Sequence, residues 1–442
     1  MAVTARSGSR GTFICLGVQS AYGTKVAANS AMIPRRFPVS ATSLNEQAEV
    51  EDSNLISSLG ADSPSEIGQF WAAGDFTTKL LAEDVLHLFN GILNPDNFSP
   101  SPTALTADTA PTTFPAPATN TGWPSKLQIT RSGGTVTSAG KVVVVGSRRG
   151  GKHASDVFSE TETIMLDDSR TVDTTRTFWD KVSSVMFTGV TGSPSYTYAW
   201  VPDTNKRTVK FQATDPAFPG WTAMLVRGGV PAVISDLVPN TVGISAGAGG
   251  IDATVGCLGV RLDNFRRIET GDEKQLALVS PDDDVFVDAG KKFYSPWGGA
   301  FQFGDTVVKY TGIEISVDRQ LEPDPGFDGS RFRRGVSATG NRLVTITPTT
   351  YFRAGDVATD VFKDFQEEFR NERREALTFQ MRQYDENGRQ RMIEAKFASS
   401  QLTESPQLSV SGPGPIEQPL SFKALASSSE ASEIVFDVWT EN

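Results

Sequence analysis

Few residues in this chain are of the types and spacings that do chemistry, and each such group fails a specific requirement. GISAG, Gly243 to Gly247, fits the G-x-S-x-G spacing that places a nucleophilic serine on a strand-to-helix turn, followed later by an acid and a histidine. No histidine follows Ser245, and the next run, IDATVGCLGV, alternates like a strand. A Gly-rich turn between two strands is therefore expected there. GSRRGGKH, Gly146 to His153, resembles a phosphate loop, but such a loop needs Ser or Thr after its lysine, and His153 follows Lys152. It reads as a basic hairpin loop. PDDDV, Pro281 to Val285, lacks both the alternate ligand spacing and the bending glycine of a calcium loop. It reads as a solvated connection. The chain holds only two cysteines, Cys15 and Cys257, and two histidines, His87 and His153. That is too little for a zinc site or a disulfide scaffold, so two buried, reduced thiols are expected. His87 faces solvent on a helix in this reading, because its counterpart in a second helix is Lys363. No catalytic, cofactor or metal site is expected.

The elements that would position any site carry more information. The 442 residues have 38% hydrophobic content, enough for real cores, and a formal net charge of −11. Net acidity argues against wrapping the outside of DNA, which calls for a basic surface. It is compatible with a conduit whose wall repels phosphates. No apolar run approaches the roughly 20 residues of a membrane-spanning helix. The start, MAVTARSGSRGTF, lacks the basic-then-apolar pattern of a signal peptide.

Three landmarks occur twice in the same order. LAEDVLHLF and VATDVFKDF place apolar residues at helical spacing, Leu81, Val85 and Phe89 in the first and Val357, Val361 and Phe365 in the second. Phe76 and Phe352 precede them at equal distance, with Thr78 and Asp356 as candidate N-caps. VKFQATD from Val209 and LTFQMRQYD from Leu377 both read as the first strand of a hairpin. The turns are DPAFPG in the first and DENG in the second, with Asn387-Gly388 supplying positive φ. Gly-alternating runs follow at Ser245 and Ser411. The connection from Phe89 to Phe211 exceeds that from Phe365 to Phe379 by the size of one small domain. Its edge is the Pro/Thr/Ala-rich linker Ser99 to Pro124, which cannot build a core. Short β-like runs then extend to Asp203, as in a small sandwich.

The expected architecture is mainly β. Residues 1–98 form the N-terminal part of a first repeat, and 99–205 a linker and inserted β-sandwich. Residues 206–285 complete the first repeat, and 286–442 form the second. Each repeat carries several strands and one flanking helix. Upstream of the two helices, the charged loops differ in sign. NEQAEVEDSNL carries Glu46, Glu49, Glu51 and Asp52, whereas DGSRFRRG carries Arg331, Arg333 and Arg334. If copies stack head to tail, these loops are candidates for setting the register.

The residues also resemble a known family. GVQSAYGTKVAANSAMIPRRFPVSATSLNEQAE, with its turn at Tyr22-Gly23-Thr24, is similar to the N-terminus of tail tube proteins of long-tailed bacteriophages. The G-D-F-x-x-x-L-x-x-E-D run from Gly74 to Asp84 is similar to that family's strand leading into its single helix, and the Gly-rich turn at Ser245 fits as well. The resemblance implies a non-enzymatic structural subunit, made in the bacterial host cytoplasm and residing in the virion tail. It needs no cofactor and contacts no membrane. Its partners would be its own copies, through ring and inter-ring contacts, together with tail-tip, tape-measure and terminator proteins. Viral DNA would pass through the lumen without sequence-specific binding. Family members with two fused tube domains form trimeric, pseudo-hexameric rings, and immunoglobulin-like inserts occur among them. Two alternatives remain open: another virion tail or decoration protein, and a carbohydrate-binding adhesive β-protein. The latter would need the aromatics Trp179, Tyr196, Tyr198 and Trp200 exposed on one sheet face.

Overall fold

In a computed structural model, the protein is mainly β. The structure describes residues 13–18, 35–51, 66–80, 88, 94–96, 103–104, 124–150, 157–201, 206–210, 220–227, 230–247, 250–264, 299–304, 306–308, 310–324, 332–333, 335–352, 365–385, 387–406, 416–426 and 432–439.

The first stretch contains β1 (Phe13–Val18), β2 (Arg35–Thr42), β3 (Asn45–Glu51), β4 (Glu66–Lys79) and β5 (Asn94–Asp96). Next come β6 (Thr103–Ala104), β7 (Lys126–Ser132), β8 (Thr135–Arg149), β9 (Val157–Met165), β10 (Val172–Thr174), β11 (Lys181–Thr191) and β12 (Ser195–Val201). They are followed by β13 (Lys206–Lys210), β14 (Trp221–Arg227), β15 (Val230–Gly247), β16 (Gly250–Gly259) and β17 (Arg261–Asn264). The final stretch begins with β18 (Gly299–Phe303), β19 (Thr306–Val308), β20 (Tyr310–Asp318), β21 (Leu321–Asp324), β22 (Gly335–Ala338) and β23 (Leu343–Phe352). After the short helix α1 (Phe365–Arg370) come β24 (Arg374–Tyr384), β25 (Gln390–Leu402), β26 (Ile416–Pro419), β27 (Phe422–Ala424) and β28 (Val435–Trp439).

The pairings trace one circuit twice. In the first, β1 pairs with β2 and β14, β2 with β4, β14 with β15, β15 with β16 and β17, and β16 with β4. In the second, β18 pairs with β19 and β24, β20 with β23, and β24 with β25. There β25 pairs with β27 and β28, and β26 and β27 return to β23. All pairings are antiparallel, so alternate side chains along each strand point to one face. The inward set from both circuits forms a single apolar cluster that includes Phe76, Trp221, Phe301, Phe379, Phe397 and Phe436. Each of these large side chains contributes about 1.5–3 kcal/mol on burial.

Residues 103–201 pack differently. One sheet orders its strands β10-β7-β12-β6 and the other β11-β8-β9. Between them lies a separate cluster built on Leu127, Ile129, Val142, Val144, Trp179, Val182 and Trp200. Tyr196 and Tyr198 are buried in the same cluster. Tyr196 stacks on Phe187, and Trp179 donates its indole N–H to Thr175 Oγ1 at 3.2 Å. Trp179, Tyr196, Tyr198 and Trp200 therefore form this unit's core, and the exposed aromatic face required of an adhesive protein is not built from them. Alternation predicts which residues share a face, but not which face is covered.

Three local expectations need correction. Val209 does not open a hairpin, because β13 lies between β28 and β5, while β14 pairs with β1 and β15. Thr78 belongs to β4, fully buried, and does not cap a helix. Among the described residues of the β24–β25 hairpin, only Gly388 has positive φ, at 76°, and Asn387 does not. The Gly388 N–H donates to Asp385 O at 3.1 Å and Asp385 N–H donates to Arg389 O at 3.0 Å, which closes the turn. The Asp385 carboxylate accepts from the Asn387 and Arg389 amides, both at 2.8 Å. The predicted helical positions Leu81, Val85, Phe89, Val357 and Val361 lie outside the described residues. Leu88 is buried, and Phe365 packs edge-on to Phe303 and Phe422.

Gly74 shows why a glycine precedes Asp75-Phe76. Its φ is +139°, and a Cβ there would stand 2.6 Å from the Ser43 carbonyl oxygen and 2.7 Å from the Leu44 backbone. The close approach lets Ser43 N–H donate to Asp75 O and Asp75 N–H to Ser43 Oγ, both at 2.8 Å. Phe76 is thereby turned into the core. Gly74→Ala is expected to cost about 2–4 kcal/mol, as a strained, clashing backbone site. A urea midpoint equal to that of the parent would refute this account.

Candidate assembly surfaces

Among the described residues the two strand circuits meet at three places, and each uses different chemistry. The first is a strand seam. The second half of β15 is hydrogen-bonded to β16 on one flank and to β20 on the other, with Thr241–Ala246 opposite Asp318–Ile313. Both flanks of β15 are thus satisfied, which removes an edge that would otherwise pair with other chains. A polar lock stands at the end of the seam. Asn240 Nδ2 donates to Leu321 O at 3.2 Å, and Leu321 N–H donates to Asn240 Oδ1 at 2.8 Å. Arg319 donates its own N–H to Asn240 O at 3.0 Å and Nη1 to Pro239 O at 3.1 Å. Arg319 is buried. One side chain that reads both backbone groups of Leu321 fixes the register, because a one-residue slip would leave buried polar groups unmatched.

The second meeting place is β28, which lies between β25 of its own circuit and β13 of the other. Beside it, Lys396 Nζ lies 2.6 Å from Asp437 Oδ2 and 3.0 Å from Glu394 Oε2. Both carboxylates are buried. Burial alone would lower the Lys396 pKa, but the Asp437 hydrogen bond and the charge of Glu394 outweigh it and hold the ammonium above its ordinary value. The lysine's contribution to stability is therefore fully present below its ordinary pKa and lost only as pH rises through the higher folded value.

The third is a charged contact. Arg333 Nη2 lies 3.2 Å from Glu49 Oε2, Nη1 donates to Pro323 O at 2.8 Å, and the guanidinium sits 4.5 Å over the Trp71 ring. Its amide donates to Phe70 O at 3.1 Å, beside a bridge from Phe70 to Phe332. The acidic and basic stretches singled out from sequence thus touch within one chain, at Glu49 and Arg333. The acidic stretch is not a loop: Glu46, Glu49 and Glu51 belong to β3, paired with β4. Asp52, Arg331 and Arg334 lie outside the described residues, as do Pro281 to Val285.

The remaining chemical candidates resolve as follows. Ser245 is exposed near the C-terminal end of β15, paired with Asp252 and Glu314, and not on a strand-to-helix turn. The first residues of the basic motif continue β8 as strand. Arg148 pairs with Glu160 at 2.9 Å and Arg149 with Asp180 at 2.8 Å, so acids of the same unit neutralise both. Cys257 is a buried free thiol whose pKa burial pushes well up, so it is unreactive at neutral pH. Among the described residues no group of three His, Cys, Asp or Glu could hold a metal, and no helix is long and apolar enough to cross a membrane.

All three contacts join parts of one chain. In the comparison with known families, residues 9–424 match the model of a family described as phage tail tube protein. The chain belongs to the phage tail tube protein family. Its role is that of a structural component of the virion tail. No curated protein matches it. For a tail tube protein the informative residues are those that set strand register, and Asn240 and Arg319 were missed by sequence reading. The available signal was a polar residue inside the apolar run LVPNTVGIS and a lone arginine ending ISVD.

Asn240→Ala is expected to cost about 1–3 kcal/mol, as two backbone groups of Leu321 lose their partner. Glu49→Gln, whose carboxylate is largely exposed, is expected to cost under about 1 kcal/mol. Urea unfolding of both variants checks the ranking, and an equal or reversed order would contradict it.

Proposed function

We propose that this chain is a tube subunit with two fused tube domains. The first comprises residues 1–98 and 206–285, the second residues 286–442, and residues 99–205 form an inserted immunoglobulin-like sandwich. In this reading three copies form a pseudo-sixfold ring, and rings stack into a hollow tube through which viral DNA is ejected. The observation that carries it is the β15–β20 seam between two equivalent strand circuits. A seam that joins one domain to the next within a chain can be repeated between chains, and a heterologous contact that closes on rotation gives a ring.

Two surfaces are left over for that repeat. β20 pairs with β23, as β2 and β3 pair with β4 in the first circuit. Among the described residues β3 pairs with β4 alone. The counterpart of the second half of β15 is the run after Leu402. Thr403 N–H donates to Ser421 O at 2.9 Å on one side, and among the described residues no strand pairs with the other. In the ring, the run after Leu402 of one copy lies along β3 of the next. The net charge of −11 suits a lumen from which phosphates must not stick. Glu46, Glu51 and Asp52, with Arg331 and Arg334, remain the candidates for contacts between stacked rings, Glu49 and Arg333 being engaged inside the chain. Tail-tip, tape-measure and terminator proteins complete the set of partners.

Negative-stain electron microscopy with mass photometry of the purified protein tests this. Hollow tubes, or six-lobed rings of three chains, are expected. Rings of six chains would overturn the two-domain reading, and a chain that stays monomeric at high concentration and with tail-tip seeds would overturn the tube.

A further inference from the structure

The insert interrupts the first strand circuit in sequence, yet its contacts run to the second. Its two ends form a stalk. β5 and β13 pair antiparallel, Thr208 opposite Asp96 and Lys210 opposite Asn94, so the chain leaves and re-enters side by side. The stalk does not end on the first circuit. All five residues of β13, Lys206 to Lys210, pair with β28, Trp439 to Val435. All five residues of β28 are buried.

A second attachment lies beside the insert's own chain ends, where Val201 pairs with Lys126 and Lys126 Nζ sits 4.9 Å over the Phe178 ring. Phe178 N–H donates to Asn387 O, at the tip of the β24–β25 hairpin, at 2.8 Å. Gly388 sits so close to the insert that a Cβ there would stand 2.7 Å from Phe178 O, 3.0 Å from Arg148 Cβ and 3.1 Å from Arg149 O. Arg149 is fixed by Asp180 at 2.8 Å, and burial, which would lower its pKa, is outweighed by that partner and by the Tyr384 hydroxyl of β24. Arg148 and Arg149 of the basic motif thus lie against a hairpin of the other circuit.

We propose that the insert is a brace: it is clamped to the second tube domain at the tip of the β24–β25 hairpin, while the β5–β13 stalk that joins it to the first domain pairs with β28, so insert and stalk together tie the two domains at a seam separate from β15–β20. Two separated seams suppress the hinge that one would allow. The brace therefore holds the angle between the domains before any ring forms. Resting on the tube reading, it also means that a three-chain ring carries three inserts in fixed orientation, one on each second domain.

Hydrogen–deuterium exchange on the full soluble chain tests the brace without any assembly, so its failure and the failure of the tube reading are distinguishable. In the parent protein, peptides covering 176–181 and 384–390 should be protected to the same degree as β28. Arg149→Ala alters only the insert, and Gly388→Val only the hairpin. Each is expected to raise exchange in both peptides together by about tenfold or more, with β14 to β16 unchanged. Parent peptides that exchange like an open loop would overturn the brace, and that reading stands even if a variant fails to fold. So would an Arg149→Ala protein in which 176–181 loosens and 384–390 does not.

Discussion

A strand edge is a row of unpaired backbone donors and acceptors, and it must be bonded, covered or charged. The structure of this protein follows from how it meets that constraint. β15 resolves it inside the chain by taking β16 on one flank and β20 on the other. β28 resolves it by taking β25 and β13. Both solutions join a strand of one circuit to a strand of the other, so satisfying edges and holding the circuits together are one event. The shared apolar cluster running through both circuits is its consequence in packing.

Backbone pairing is indifferent to register, and an apolar face fixes it only to within two residues. The polar groups at the seams supply the rest. Asn240 matches a single backbone residue, Leu321, in both directions. Lys396 stands between two buried carboxylates that would be costly without it. Arg333 serves three partners of different kinds: a carboxylate, a carbonyl and an indole ring. In the proposed ring, a subunit whose domains met in several registers could not close at a fixed number, so in that reading these locks bear on function as well as on stability.

The mainly β class and the turn after Tyr384 were legible in the sequence, because each is a local signal: alternation, or a glycine at a tight turn. Partner choice was not. VKFQ and LTFQ look alike, yet β13 bonds to β28 and β5 while Phe379 lies opposite Phe301 and Ala395, since the pairing of a strand is decided by what lies beside it in space. β3 was read as a loop because Glu, Gln and Asn are poor strand formers, but charge is what an exposed edge strand carries. Tyr196 and Tyr198 alternate as they would on either face of a sheet. Only the second sheet, which covers them, makes them core. The opposed charges of Glu49 and Arg333 were visible; that they would meet within one chain was not.

The central claim is that the joint between the domains is repeated between chains. A helical reconstruction of assembled tubes by cryo-electron microscopy tests it most directly. The account predicts that β3 of each copy is bordered by the run after Leu402 of its neighbour in the same ring, antiparallel, as β20 is bordered by β15 within the chain. A β3 edge that faces solvent, or that meets a copy in the ring above, would contradict it.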